Sequence, residues 1–120
     1  MNPTDRELEI LKVLWEIGEG NVRAVHQRME PEGDVHFNTV QTQLRIMDGK
    51  GLVTHRRERR TLVYRPVYTR EQASSRFLNQ VFGGALDKLV LSMLAAERVR
   101  PETLDELEGL IKDARKKKRK

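Results

Sequence analysis

The chain has 120 residues and no cysteine; 38% of its residues are hydrophobic, 5% aromatic and 34% charged, with a net charge of +5. That length fits one domain, or one small domain with an appendage, and so few aromatics among so many charges suit a helical protein that gains burial by associating with itself. Disulfides, thiolate metal sites and cysteine catalysis are excluded. With no apolar run near the ~20 residues of a membrane span and no apolar leader, the expectation is a cytoplasmic protein without membrane insertion.

Thr4-Asp5-Arg6-Glu7 has the spacing of a capping box, with Thr4 as N-cap and Glu7 reaching back. Leu8, Leu11 and Trp15, with Ile10, Leu14 and Ile17, then recur at helical spacing until Gly18 and Gly20 end the helix. Asn21 can cap a short second helix that turns Val22, Val25 and Met29 inward, and Pro31-Glu32-Gly33-Asp34 reads as a turn. A third helix runs from His36 or Phe37 to Lys50, with Gly51 at the position of a left-handed terminator. Leu52 to Arg57 and Thr61 to Val67 read as strands of a hairpin, joined through Glu58-Arg59-Arg60; Val53, His55, Leu62 and Tyr64 alternate loosely with polar and basic residues. Such a hairpin is marginal alone and must lean on the helices. Three helices followed by a basic hairpin is the layout of a winged helix-turn-helix.

The remainder reads as three short amphipathic helices. Thr69-Arg70-Glu71-Gln72 is a second capping box, opening a helix that carries Phe77, Leu78, Val81 and Phe82 until Gly83-Gly84 breaks it. The next, from Leu86 to Glu97, carries Leu86, Leu89, Val90, Met93 and Leu94; the last starts at Pro101 and carries Leu104, Leu107, Leu110 and Ile111. With no other domain to cover them, these stripes call for a second copy of the chain. The fold class expected is mainly α, with a winged-helix domain over residues 1–68, a helical dimerisation region over 69–114 and a disordered basic tail over 115–120.

Charge follows these divisions. Residues 1–34 hold four basic and eight acidic side chains, residues 35–68 hold seven and two, residues 69–114 hold six and eight, and the last six residues are all basic. Positive charge is focused on the third helix, the hairpin and the tail, which suggests that a polyanion docks at the middle segment. On a wheel at about 100° per residue, Phe37, Val40, Leu44 and Met47 fall within about 80° of one another and form the expected buried stripe. Asn38, Thr42, Arg45 and Gly49 lie opposite, Thr39 and Gln41 flank them, and Ile46 also points outward. Arginine can donate twice to guanine, Asn and Gln can pair with adenine, and Thr or Ile methyls can touch thymine. Asp48 is the single carboxylate between His36 and Arg57, and phosphates would repel more. Asn38, Thr39, Gln41, Thr42, Arg45 and Ile46 are therefore the candidate base readers. Arg56, Arg57, Arg59 and Arg60, four arginines in five positions, suit phosphate contact or a narrow minor groove. His26, His36 and His55 sit on separate elements without a carboxylate set, so no metal site or cofactor is expected, and no serine has a histidine base at helical spacing. An enzyme is not expected.

LEILKVLWEIG, NTVQTQLRIMDGKGLV, the hairpin ending VYRPV and the stretch FLNQVFGGALDKLVLSML together resemble the penicillinase-repressor family, which includes regulators of β-lactamase and methicillin-resistance genes. The resemblance spans nearly the whole chain. It implies a homodimeric repressor whose winged domains read a palindromic operator and whose C-terminal helices intertwine. It also implies release by proteolysis in the dimerisation region, triggered by a membrane sensor acting indirectly. In relatives that cut falls at an Asn–Phe bond, which would map here onto Ser92-Met93. Departures from the family pattern are Ser92-Met93 itself, His36 where Ser usually caps the recognition helix, Ile46 at a position commonly Arg, and Arg59 in place of a wing-turn Gly. Copper-responsive relatives carry a Cys-rich motif that this chain lacks. The expected function is thus sequence-specific repression by a dimer. The alternatives are a winged-helix protein–protein module and a nonspecific architectural DNA binder.

Overall fold

A computed structural model describes residues 2–30 and 35–118; the expected turn at Pro31–Asp34 lies outside them, as do Arg119 and Lys120. The elements are α1 (Asp5–Ile17), α2 (Val22–Met29), α3 (Phe37–Lys50), β1 (Val53–Glu58), β2 (Thr61–Pro66), α4 (Arg70–Phe82), α5 (Leu86–Ala96) and α6 (Pro101–Lys118). Two units separate along the chain, Met1–Arg76 and Phe77–Lys120, so the division falls inside α4, later than the 68/69 boundary expected from the sequence.

In the first unit, α1 begins on the full capping box: Thr4 Oγ1 accepts from the Glu7 N–H at 3.2 Å, and Glu7 Oε1 accepts from the Thr4 N–H at 2.8 Å. Both contacts satisfy donors that a helix start otherwise leaves open. Gly18, at φ 86°, caps the other end. Gly20 is not a second terminator. It forms an antiparallel bridge with Tyr64, with N–H to O distances of 2.9 Å in both directions. A Cβ at Gly20 would stand 2.9 Å from Ile17 Cδ1 and 3.3 Å from Ala24 Cβ, so a larger residue needs the Ile17 side chain to turn aside and Ala24 to give.

The core is built by Ile10, Leu11 and Leu14 of α1, Val25 and Met29 of α2, Val40, Leu44 and Met47 of α3, and Leu52, Val53 and Tyr64 of the hairpin. Three of the four residues expected in the α3 stripe are fully buried. The fourth, Phe37, is 40% exposed: it stands at the first position of α3, where it meets the edge of the His26 ring rather than the core. Leu8, Trp15, Ile17 and Val22 pack against the core while partly buried. The first strand is shifted by one residue, starting after Leu52 and taking in Glu58, and the second ends one residue early, before Val67; the register runs Val53↔Pro66 to Glu58↔Thr61 and leaves Arg59-Arg60 as the turn. Leu52 instead accepts from the N–H groups of Val67 and Tyr68 at 2.9 and 3.0 Å, closing the base of the hairpin.

In the second unit Gly83 and Gly84, at φ 58° and 86°, end α4. No residue of α4, α5 or α6 is buried, and the exposed apolar side chains include Leu91 beside those expected. The expectation of a disordered tail is corrected: α6 continues to Lys118, with Arg115, Lys116, Lys117 and Lys118 in its last turn. Cations there complement the negative end of the helix dipole.

The long-range anchor of α3 is an ion pair. Glu7, whose side chain is 1% exposed, receives Lys50 Nζ at 2.8 and 3.0 Å on its two oxygens. Burial pushes the carboxyl upward, and the hydrogen bonds from Lys50 and Thr4 outweigh it, so its pKa lies below the ordinary value. A depressed carboxylate contributes fully above the ordinary carboxyl range, ~4.3, and its contribution is lost as pH falls through the folded value. Lys50→Met should therefore lower stability by about 1.5–3 kcal/mol at neutral pH in urea denaturation, with the difference from wild type shrinking below about pH 4. An unchanged midpoint at neutral pH would show that the pair gives no net stabilisation.

Candidate nucleic-acid interface

The outward face of α3 is presented because its other face is locked into the core. Asn38, Thr39, Gln41, Thr42, Arg45 and Ile46 are all exposed, Ile46 at 44%. His36 occupies the N-cap position in extended conformation but supplies no side-chain hydrogen bond. Asp48, the carboxylate on this helix, is turned toward the wing, where its Oδ2 lies 2.6 Å from His55 Nδ1. The sequence reading gave His55 no acidic neighbour; the two meet because β1 turns back beside the end of α3. The Tyr64 phenol is pushed above its ordinary value, first by burial and then by the Asp48 carboxylate, with Arg45 opposing.

The four wing arginines separate by strand alternation, because successive side chains point to opposite faces. Arg57 shares the face of Val53 and Tyr64, whereas Arg56 faces away from it. Arg56 grips Glu19 with both guanidinium arms, at 2.9 and 2.6 Å, and also meets Glu58 at 2.9 Å. Those carboxylates hold its pKa further above the ordinary arginine value. In this structure Arg56 therefore ties the wing to the α1–α2 loop, with its side chain still half exposed. Arg59 adopts φ 60° at the first turn position, the conformation for which glycine is favoured there.

Gln41 and Arg45 of α3 and Arg57 and Arg60 of the wing line one cleft of about 650 Å3, whereas Asn38, Thr39, Thr42 and Ile46 lie outside it. Asn21, Val22 and Arg23, from the start of α2, close its third side. Arg23 escaped the sequence reading because one arginine on a short helix has no pattern around it. Among the described residues no three His, Asp or Glu side chains converge as metal ligands, and no helix is long and apolar enough to cross a membrane.

A profile of the family described as penicillinase repressor matches residues 3–113. The chain belongs to the penicillinase-repressor family. The penicillinase repressor of Bacillus licheniformis is 29% identical over 120 residues, which cover 97% of this chain and 94% of that protein. The monomeric form of Bacillus licheniformis BlaI, solved in complex with the blaP half-operator, matches with a TM-score of 0.52 and 29% identity over 60% of this chain and 88% of that one. The DNA-binding domain of the repressor BlaI gives 0.54 and 30% identity over 59% and 87%. A MarR family protein from Bacillus stearothermophilus gives 0.54 over 100% of this chain and 78% of its own, at 18% identity, a likeness of fold alone. The winged helix is thus the fold of this penicillinase-repressor family member, and the family is one of repressors rather than enzymes.

The wing turn gives a test of backbone strain. Arg59→Gly should raise stability by about 0.5–1 kcal/mol, because a Cβ disfavours positive φ. Arg59→Ala should show no such gain in thermal unfolding; an equal gain in both variants would assign the effect to charge relief instead.

Proposed function

We propose that the chain is a dimeric, sequence-specific DNA-binding repressor that reads a palindromic operator with α3 and steadies itself on phosphates with the wing. The observation that carries this reading is the exposed α3 face of amides, hydroxyls and one arginine. Its carboxylate is turned away toward His55, and arginines stand across the adjoining cleft. Recognition helices dock their N-terminal half deepest, which puts Asn38, Thr39, Gln41 and Thr42 nearest the base edges and Arg45 and Ile46 behind them. Arg57, Arg59 and Arg60 are the phosphate candidates in the wing. The half-operator bound by BlaI, a relative of the same fold, supports a duplex as the partner.

The second copy of the chain is the natural cover for the C-terminal helices. Phe77, Val81, Leu86 and Val90 are exposed, as are Met93, Leu94, Leu104, Leu107 and Ile111, while Leu78, Phe82 and Leu89 are at least half-covered. An apolar surface of that extent marks an interaction site. Release by the family's proteolytic route would place the cut at Ser92-Met93, both exposed on α5. A membrane sensor would then act on the repressor indirectly.

Base reading is tested by gel shift across a panel of duplexes. Thr42→Ala and Arg45→Ala should each lose discrimination at defined base pairs, by about 1–3 kcal/mol. Equal weakening on every sequence would instead describe an architectural binder. Dimerisation is tested by sedimentation at micromolar concentration, where the wild type should run as a dimer and Leu94→Glu as a monomer. A monomeric wild type would favour a module that binds some other protein.

A further inference from the structure

We propose that the cleft between α2, α3 and the wing is a seat for the sugar-phosphate strand separating two grooves of duplex DNA, and that Arg23 is its clamp opposite the wing. This rests on the DNA-binding reading above and adds to it a site and a residue. Four arginines from three parts of the fold line the cleft: Arg23 of α2, Arg45 of α3, and Arg57 and Arg60 of the wing. No aspartate or glutamate lines it. Three other arginines of the same unit are already paired. Arg6, Arg28 and Arg56 reach glutamates at 3.3, 2.9 and 2.6 Å, whereas none of the four cleft arginines has a carboxylate within ion-pair distance among the described residues. Phe37, Leu62 and Tyr64 give the cleft an apolar floor. A low-dielectric wall behind unpaired cations concentrates positive potential in the concavity.

The volume alone would admit a small organic anion as well as a stretch of backbone. Position decides between them. A helix laid in the major groove and a hairpin in the adjoining minor groove straddle the strand that divides the two. The space between helix and hairpin is where that strand must pass, and here that space is the arginine-lined cleft. Arg23, on the first turn of α2, faces it from the side away from the wing. It is held there because Asn21 caps α2 through its side-chain oxygen, 2.8 Å from the Ala24 N–H. Phosphate contacts fix register without carrying sequence information, so Arg23 is a positioning residue and its loss should act alike on all sequences.

The test uses the full chain with two fluorescein-labelled duplexes, one from the region upstream of its gene and one of random sequence. In anisotropy titrations over a range of salt, Arg23→Ala should weaken both by a similar factor, about ten-fold. Its salt dependence should flatten by about 0.9 in the log–log slope. Arg23→Lys should recover most of the affinity, since a phosphate accepts from an ammonium as well as from a guanidinium. Neutral methylphosphonates placed singly along the upstream duplex should identify phosphates whose loss no longer matters to Arg23→Ala. The same or adjacent phosphates on that strand should be silent for Arg57→Ala. An Arg23→Ala protein with wild-type affinity and slope overturns the cleft while leaving the DNA-binding reading intact, as does coupling of Arg23 and Arg57 to opposite strands. Stoichiometric binding of pyrophosphate or ATP that needs Arg23, with duplex binding unchanged in the variant, would make the cleft a small-anion site instead. A wild type that binds neither duplex defeats both readings.

Discussion

A two-stranded hairpin does not hold its position in water by itself, so the placement of the wing depends on where Tyr64 is fixed. Its ring is buried in the helical core, and its N–H and C=O pair with Gly20 between α1 and α2. One residue of β2 thus joins the hairpin to the helices by side chain and backbone together. Gly20 itself is packed against the helices on either side, since a side chain there would press on Ile17 and Ala24. Arg56 on the outer face adds a second tie to the same loop through Glu19. The inner face is left to His55, which tilts against Tyr64 and reaches Asp48 on α3. The distance between recognition helix and wing is therefore set by contacts at the hairpin's base, leaving its tip unencumbered.

The helix is fixed in a different way. Its C-terminal end carries Gly51 as a left-handed cap and Lys50 in the buried pair with Glu7. Its N-terminal end has no side-chain cap. Firm anchoring at one end and open N–H groups at the other suits a helix whose first turns must meet something outside the protein, because orphan donors are tolerable only where a partner or water reaches them. Phe37, exposed beside those turns, follows the same logic, since the first residue of a helix projecting from the core cannot also fill the core.

What could be read in the sequence was what local chemistry determines. Both capping boxes, at Thr4 and Thr69, form as their spacing implied, because all their partners lie within four residues. The buried positions Val40, Leu44 and Met47 followed from helical periodicity, and the unusual place of Arg59 from the family resemblance, which puts a glycine at that wing turn. What escaped depends on residues far apart in the chain. Glu7 reads as half of a capping box, but its second partner is Lys50, 43 residues away. Gly20 reads as a helix stop until Tyr64 supplies its bridge. The wing arginines looked equivalent, because nothing local tells which strand face meets Glu19 and which meets the cleft. Arg23 carried no local signal at all.

The division among arginines bears on how such a protein keeps affinity and specificity apart. Guanidinium groups already paired with carboxylates have part of their field cancelled and must give up a partner before meeting a phosphate, so Arg6, Arg28 and Arg56 contribute mainly to the shape of the molecule. Arg23, Arg45, Arg57 and Arg60, without a carboxylate partner among the described residues, line the cleft where the strand would run, and the face beyond them carries neutral donors and acceptors. Binding through unpaired cations falls steeply with salt, whereas hydrogen bonds to base edges distinguish one sequence from another. Gln41 and Arg45 belong to both surfaces, but Thr42 and Ile46 lie outside the cleft, so a change at either can alter which bases are preferred without disturbing the cations that hold the strand. The same arrangement lets Arg23, Arg57 or Arg60 be exchanged in the cleft without rewriting the sequence that is read.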